Sequence, residues 1–451
     1  MRIMTKAKVG LGAVGAITLT VGLVGPAAYA DYAPGPKDVV GVGSDTVQDI
    51  GDFIADGDFL GDLGWNASAA NKVVNFDATA DANTRLAYST DGGAGGIVCS
   101  PGTGATVGTA NQTTKHAEAN ACTLNPTIVL RAGLSPVQRP NGSGGGKTAW
   151  LNDTTPPFKI QYVRASAAYA SQAAFVTAFG TGGADAAQVG TDPLAILSTG
   201  AAGANPTHAV ALSAAQLKLI YACTQSPAGG VGHTMEWVDV GGASTDSIIP
   251  VLPQLGSGTR SRFLSDIGSP TVGTCVKTAE ENDPTYLTTT ANPDDAIEPM
   301  SGGRLNLFLG NLGDGTTNGV GGYFKDPSCP FKSATAPCPN TISVSDTKFW
   351  TTGTPSDANV IQFDPRPLYI YFRDSDVNSA TAFEPGSTLN WVRSLFYNPC
   401  SGTGHTVGCV TIGGTTYGPG GVPFYQTASG QSLISAAGVD PTGYQVLTPG
   451  P

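Results

Sequence analysis

The sequence predicts an α/β fold, in which short apolar strands alternate with amphipathic helices. Residues 248–252 form an apolar run typical of a short buried strand. A Gly-Ser-Gly-Thr turn follows at 256–259, and beyond it Phe263, Leu264 and Ile267 have the spacing of one helix face. The same strand–turn–helix order recurs near the start of the chain, and alternation of this kind is typical of α/β proteins.

The turn at 256–259 is the first candidate binding element. Its two glycines allow the backbone to approach a ligand closely. The hydroxyls of Ser257 and Thr259, together with the free N–H groups of the helix start, can bind an anion or a small oxygen-rich molecule. An ordinary glycine turn with a Ser/Thr cap is the alternative for this motif taken alone.

The first thirty residues have the pattern of a secretory signal peptide. Positive residues within 2–8 precede an apolar run at 9–24 and an Ala-x-Ala signal at 28–30. We therefore expect cleavage near Ala30 and a secreted, extracellular or periplasmic protein. The first cysteine is Cys99, so we expect no lipid anchor, and no later stretch is apolar enough to span a bilayer.

Composition limits the classes of partner. Only 13% of the 451 residues are charged, against about 25% in a typical domain. The net charge of −11 argues against binding to nucleic acid or to an acidic membrane. The chain is long enough for two domains, and its 61 glycines and 32 prolines indicate many turns and two long loop regions, at 91–125 and 310–358.

Eight cysteines in an exported chain indicate disulfides. Their spacing favours four sequential pairs, although eight cysteines allow about 105 connectivities. The pairs are Cys99–Cys122, Cys223–Cys275, Cys329–Cys338 and Cys400–Cys409. We expect no zinc site, because there is no Cys-x-x-Cys motif and the four histidines are scattered.

The remaining elements follow from local patterns. Ser44 or Asp45 is predicted to cap the first helix, Ser213 and Gln216 form a capping box, and Ser387 is predicted to cap a late helix. The predicted strands are 38–43, 72–76, 127–131, 159–163 and 367–372, and the further helices lie within 167–179 and 430–439.

Two polar stretches have a plain reading and a functional one. The Gly-rich stretch 139–148 resembles a nucleotide P-loop, but that pattern needs a glycine where Asn141 stands. We expect a Gly-rich turn there, or a further ligand loop that uses Ser143. The acidic cluster at 280–283 is more often a solvated turn than a site.

Five motifs together resemble the phosphate-binding-protein-like family of ABC-transporter substrate-binding proteins. They occur in the family's order, and the resemblance spans about 220 residues. The motifs are GVGSDT at 41–46, NGSGGG at 141–146, YVRAS at 162–166, the segment from Leu212 to Asp239, and GSGT at 256–259.

The resemblance implies a type II periplasmic-binding-protein fold, with two α/β domains joined by crossover strands and a ligand cleft between them. Domain I would be discontinuous, with residues 31–188 and 362–451, and domain II would comprise residues 189–361. Ligands of open α/β sheets bind at the carboxyl ends of strands, which agrees with the positions of the loops.

The family's phosphate contacts fall on hydroxyl-bearing loops of this chain, with two departures. Ser166 stands where phosphate binders have an Asp, and Pro253 stands where they have an Arg. Arg164 or Arg260 could replace the lost positive charge, and Asp45 could supply the acceptor. The expected ligand-binding residues are Ser44, Asp45, Thr46, Ser143, Gly144, Arg164, Ser166, Ser257, Gly258, Thr259 and Arg260.

The sequence therefore leaves two functions open. The first is an exported monomer that captures a small oxyanion, phosphate included, or a polar solute for uptake through an ABC permease, without a cofactor. The second is a secreted surface or interaction protein that keeps the fold without transport. We expect no enzyme activity, because no Ser-His-Asp spacing and no carboxylate pair on a shared motif stands out.

Overall fold

A computed structural model describes ten segments of the chain. They are residues 33–58, 62–78, 127–198, 212–229, 233–282, 295–304, 348–350, 365–377, 390–400 and 408–451. The expected signal peptide 1–30, the loop 91–125, Ser387 and the disulfides Cys99–Cys122 and Cys329–Cys338 lie outside these segments.

Six strands from the early and late parts of the chain form a mixed sheet, which we call the first sheet. Its strand order is β15-β6-β12-β5-β1-β2, and β2, β1 and β5 run parallel while β12 is antiparallel to both of its neighbours. Its strands are β1 (Val39–Gly43), β2 (Val73–Asn75), β5 (Tyr162–Ala165), β6 (Ala184–Asp192), β12 (Arg366–Arg373) and β15 (Gln445–Leu447).

Five strands from the middle of the chain form the second sheet, in the order β11-β7-β10-β8-β9. Strands β9, β8 and β10 run parallel, and β7 is antiparallel to β10 and β11. Its strands are β7 (Leu194–Ser198), β8 (Ile249–Pro253), β9 (Lys277–Ala279), β10 (Ala296–Ser301) and β11 (Lys348–Trp350). Strand β11 lies in the region 310–358 predicted as loops, where pairing with β7 overrides the local pattern.

The two sheets repeat one arrangement, which the sequence does not reveal. Strands β2-β1-β5-β12-β6 of the first sheet correspond in order and direction to β9-β8-β10-β7-β11 of the second. The chain passes from β6 to β7 through Pro193 and returns at β12. The predicted α/β class is confirmed, and crossover strands join two sheets as the family resemblance implies.

Residues 302–304 are helical, and eight further helices have both bounds in the described segments. They are α1 (Gln48–Asp56), α2 (Gly142–Leu151), α3 (Ala173–Phe179), α4 (Ala214–Tyr221), α5 (Gly258–Asp266), α6 (Asp374–Val377), α7 (Trp391–Leu395) and α8 (Ala428–Ala436). Short 3-10 helices cover Trp65–Ala67, Trp237–Val240 and Phe424–Gln426, and small antiparallel pairs join β3 (Thr127–Ile128) to β4 (Val137–Gln138) and β13 (Val410–Ile412) to β14 (Thr415–Tyr417).

The helix caps test the local predictions. The capping box of α4 is confirmed, since the Gln216 amide donates to Ser213 Oγ at 3.2 Å and the Ser213 amide donates to the Gln216 side chain at 2.7 Å. The cap predicted for α1 at Ser44 or Asp45 is wrong. A turn in which the Gln48 amide donates to the Asp45 carbonyl precedes that helix, and its N-cap is Val47.

One predicted turn is a helix instead. The Gly-rich stretch 139–148 enters α2, whose N-cap is Asn141. Trp150 anchors this helix, because its side chain is fully buried against Phe175 and Phe179. Burial of a large aromatic side chain therefore outweighs the low helix propensity of the glycines.

Apolar clusters cover both faces of the first sheet and part of the second. One face of the first sheet packs against α1, α7 and α8, and the other packs against α2 and α3. The core of the second sheet is built with α4 and α5 around Trp237 and Phe263. Two helix-covered sheets are thereby held next to each other with their polar strand ends in contact.

Two of the four predicted disulfides lie in the described segments. Cys223–Cys275 and Cys400–Cys409 are both formed, each with Cα atoms 5.7 Å apart. The first ties the end of α4 to the segment that leads into β9. These pairs are consistent with an oxidising compartment.

Candidate functional site

The carboxyl ends of the parallel strands of both sheets meet in one buried polar region. Thr46 follows β1 and Ser166 follows β5 in the first sheet, while Thr259 follows β8 and Glu281 follows β9 in the second. The repeated strand order explains why these loops face one another. Ligands of open α/β sheets bind at such strand ends, so we take this region as the candidate site.

Two threonine hydroxyls and one carboxylate form the centre of the site. Thr46 Oγ1 lies 3.2 Å from Thr259 Oγ1, although the two residues are 213 positions apart. Glu281 Oε1 accepts hydrogen bonds from Thr46 Oγ1 at 3.1 Å, from Thr259 Oγ1 at 2.6 Å and from the Thr259 amide at 3.2 Å. All three side chains are at most 2% exposed.

Asn282 extends this centre and fixes the turn that carries Glu281. Its Nδ2 donates to Asp45 Oδ1 at 2.9 Å and to Thr46 Oγ1 at 3.2 Å. Its Oδ1 accepts from the Ser301 amide at the end of β10. One asparagine thus bonds to loops of both sheets.

Two buried arginines provide positive charge beside the threonines. Arg366 Nη2 donates to Thr46 Oγ1 at 3.3 Å and pairs with Asp192 at 2.8 Å. No described residue accepts a hydrogen bond from Nη1 of Arg366, which is 1% exposed. Arg304 lies 3.8 Å from Asp45 and forms an ion pair with Asp49.

A second cluster of hydroxyls lies at the start of α2. Ser143 Oγ lies 3.3 Å from Ser166 Oγ and accepts a hydrogen bond from the Ser166 amide at 3.1 Å. In chain order, the first loop is 41–46, the second is 141–146 and the third is 256–259. The Gly144 amide donates to the Gly256 carbonyl at 3.0 Å, so α2 contacts the third loop directly. A Cβ atom added at Gly258 would lie 2.1 Å from Ser166 Oγ, which shows how closely the segments after β5 and β8 approach each other.

The remaining predicted residues lie around these clusters in different roles. Arg164 is fully buried, and its guanidinium donates to the carbonyls of Ser44, Gly43 and Phe76. Ser257 Oγ accepts from the Arg260 amide at 3.0 Å and caps α5. The guanidinium of Arg260 donates to the Pro253 carbonyl at 2.8 Å.

The structure therefore brings most of the predicted residues into one region. Thr46, Thr259 and Asp45 share the central network, and Ser143, Ser166 and Gly258 share the second cluster. The guanidinium of Arg164 contacts backbone carbonyls of the loop after β1, and that of Arg260 contacts the Pro253 carbonyl at the end of its own strand β8. Ser44 Oγ is fully buried and has no hydrogen-bond partner among the described residues.

Charge and burial perturb the groups at the centre. Burial raises the pKa of Glu281, and the nearby Asp45 carboxylate raises it further, while hydrogen bonds from Thr259 and the charge of Arg366 act in the opposite direction. Burial lowers the pKa of Arg304, and Asp45 counteracts that shift. These opposed effects are typical of a desolvated polar site.

Sequence reasoning missed half of the central network. The plain reading of 280–283 as a solvated turn is wrong for Glu281 and Asn282, which are at most 1% exposed. The strand before them, Lys277–Ala279, is polar and largely exposed, so the local sequence contains no signal of their burial. Asp192, Arg304 and Arg366 lie at strand ends without a recognisable motif, and only the sheet order brings them to the site.

The described segments offer no candidate for a metal site or for a membrane-spanning helix. No group of three or more His, Cys, Asp or Glu side chains in these segments could hold a metal ion. None of the helices described is both long and apolar enough to cross a membrane.

No model of a known protein family matches the sequence, and no curated protein does. Among solved structures, the chain is similar to a protein assigned as a phosphate ABC transporter substrate-binding protein, with bound phosphate, from Clostridium perfringens. The identity is 14%, the match covers 66% of this chain and 84% of that one, and the TM-score is 0.36.

Two further structures give similar values. A candidate phosphate-binding protein from Planctomyces limnophilus is 17% identical over 52% of this chain and 69% of its own, with a TM-score of 0.30. An ABC-type phosphate transport receptor from Vibrio cholerae is 17% identical over 52% of this chain and 75% of its own, with a TM-score of 0.28. Because all three TM-scores lie below 0.5, the likeness says nothing about the ligand of this chain.

Proposed function

We propose that this chain is an exported solute-binding protein that holds a small oxyanion, phosphate included, or another polar solute between two α/β domains. Residues 31–188 with 362–451 would form domain I, and 189–361 domain II. The solute would then pass to an ABC-type permease. The protein would act as a monomer, by hinge closure and without chemistry on the solute.

One observation carries this proposal. Hydroxyls from the helix starts of two separate sheets, on Thr46 and Thr259, meet 3.2 Å apart in a fully buried polar network. Burying hydroxyls and charged groups between two sheets costs free energy unless they are hydrogen-bonded, and an apolar contact would hold the sheets together at a lower cost. Such a network is understandable if the region serves binding.

The donors present favour an oxyanion. Hydroxyl groups, the Thr259 amide at the start of the nine-residue helix α5, and the Arg366 guanidinium all offer hydrogens to one small volume. A helix N-terminus and a guanidinium both stabilise negative charge. Ser44 Oγ and Arg366 Nη1 are buried donors that a bound oxyanion could use.

A thermal-shift screen tests the proposal. Phosphate, sulfate, other oxyanions, sugars and amino acids are added to the purified protein in turn. A solute at 100 times its Kd should raise the free energy of unfolding by about 2.7 kcal/mol. If no small solute raises the melting temperature, capture of a solute is excluded as the function.

Isosteric variants locate the site. Thr259→Val and Thr46→Val each remove a hydroxyl, and each should weaken binding about tenfold, because one hydrogen bond to a charged ligand is lost. Thr411→Val is the matched control, since Thr411 Oγ1 and Thr416 Oγ1 form a similar pair at 3.1 Å on an exposed hairpin. An unchanged affinity in both site variants would place the ligand elsewhere.

A further inference from the structure

The carboxylate of Glu281 occupies the position that the proposed ligand would need. Its Oε1 accepts three hydrogen bonds, from both threonine hydroxyls and from the Thr259 amide. These are the central donors assigned above to the solute. A carboxylate oxygen and an oxyanion oxygen make the same kind of hydrogen bond with such donors.

The fold holds Glu281 in this position from both sides. Before it, Ala279 of β9 is in register with Pro253 of β8, which places the end of β9 beside the third loop. After it, Asn282 bonds to Asp45, to Thr46 and to the Ser301 amide. The carboxylate is fully buried, so contact with the threonines is built into the packing of the turn.

Charge makes joint occupancy unfavourable. A bound oxyanion would stand next to the Glu281 carboxylate, with Asp45 and Asp192 also close, and in the described segments Arg304 and Arg366 are the cations beside these carboxylates. Like charges in a desolvated site repel strongly. Either the carboxylate leaves the donors, or it takes up a proton.

We propose that Glu281 is an internal competitor of the oxyanion, a carboxylate on the chain that fills the anion site and must be displaced or neutralised before solute binds. This inference rests on the proposed function, since it names the group that regulates that same site. The measured association constant of the wild-type protein is then the intrinsic constant multiplied by the fraction of molecules in which Glu281 does not fill the site.

The opposite role is that of a ligand-holding group, in which a protonated Glu281 donates a hydrogen bond to the bound oxyanion. The two roles predict opposite effects of removing the carboxylate. Removing a competitor strengthens binding, whereas removing a contact weakens it.

Calorimetric titration of the full chain with inorganic phosphate and with sulfate distinguishes these roles. Glu281→Ala and Glu281→Gln should each bind both anions about tenfold more tightly than the wild type. The matched control is Glu280→Gln. It removes a carboxylate from the same turn, and that carboxylate accepts hydrogen bonds from Asn141 at 2.9 and 3.1 Å. The control should stay within about twofold of the wild type.

Each result has one meaning. Unchanged or weaker binding in both Glu281 variants, while the wild type binds, overturns the competitor and leaves the proposed function standing. Absence of binding in the wild type and in both variants refutes the oxyanion function as well. Binding in the Glu281 variants alone supports the competitor and contradicts capture of these anions by the wild-type protein.

A wild-type measurement covers the case in which the variants fold poorly. Sulfate keeps its charge between pH 5 and 8, so its affinity reports on the protein alone. Burial and Asp45 raise the pKa of Glu281, against the effects of Thr259 and Arg366. Lowering the pH therefore neutralises the competitor and should increase the sulfate affinity of the wild type. If Glu281→Gln folds, the increase should be absent in that variant. Affinity that is constant or falls at low pH overturns the proposal.

Discussion

The loops after β1 and β8 occupy equivalent positions in the two sheets, yet they are held in different ways. The loop after β8, which is the third loop, is held by residues of its own segment. Ser257 caps the helix that follows it, and Arg260 donates to the Pro253 carbonyl of the strand that precedes it. The first loop has no side-chain cap. It depends on Arg164 of β5, whose guanidinium bonds to the carbonyls of Gly43 and Ser44.

The third loop is therefore held by residues next to it in sequence, and the first loop by an arginine of a neighbouring strand. A loop held by its own residues can move with its helix as a unit, whereas a loop held by a neighbouring strand is fixed to the sheet. We therefore expect changes to the support of the first loop to affect the whole first sheet, and changes to the third loop to remain local.

The largest expected difference concerns the two arginines. Arg164→Met leaves three buried carbonyl groups without their donor and should lower the free energy of unfolding by about 4 kcal/mol. Arg260→Met removes one bond from a partly exposed side chain and should cost about 1 kcal/mol. Urea denaturation measures both values, and equal losses would contradict the distinction between the loops.

The glycine at each turn gives the next difference. Gly43 has φ of +118°, and an added Cβ would lie 2.5 Å from the Arg164 carbonyl, so Gly43→Ala should cost about 3 kcal/mol. Gly256 has φ of +92°, but nothing lies within 4 Å of an added Cβ, so Gly256→Ala should cost about 1 kcal/mol. Melting temperatures of the two variants test this order.

The helix after the first loop should also make stability depend on pH. Burial and the Asp77 carboxylate raise the pKa of Asp52 in α1, and Asp56 adds to the shift, while the Asn75 side chain and Arg164 oppose it. The folded state then holds this proton more tightly than the unfolded state. Stability should be greatest below the ordinary pKa of Asp and decline as pH rises toward the raised pKa.

Asp52→Asn removes this titrating group. Urea midpoints between pH 4 and 7 should therefore decline less in the variant than in the wild type. A wild-type decline that persists in full in the variant would assign the pH dependence to another group.

The smallest expected effects concern the two serines. Ser257→Ala removes the cap of α5 and should cost about 1 kcal/mol of folding stability. Ser44→Ala removes a hydroxyl that makes no hydrogen bond to the described residues, so stability should change by less than about 0.5 kcal/mol. If Ser44 contacts the solute, its variant loses affinity instead, which calorimetry would detect.

The same contrast explains what could be predicted from sequence. The third loop was predictable because its apolar strand, its glycines and its capping serine are contiguous. Asp45 and Thr46 were identified through a resemblance, but the cap was misassigned, because Asp45 is bonded to Asn282 across the site. A side chain engaged by a distant residue does not follow its local propensity.

The charged half of the site could not be predicted in this way. Asp192 and Arg366 pair at 2.8 Å because β6 and β12 are neighbours in the sheet, although the two residues are 174 positions apart. The burial of Glu281 likewise depends on the parallel pairing of β8 and β9. Sheet order is a long-range property, and the alternation of strands and helices along the chain does not determine it.

The position of β12 has a consequence for the order in which the two sheets can form during synthesis. This strand, Arg366–Arg373, lies between β5 and β6, so the first sheet stays divided until these late residues have been synthesised. Until then both neighbours carry unpaired edges, which invite association with other chains. A chain released before residue 366 should aggregate instead of folding, and vectorial synthesis should complete the second sheet before the first.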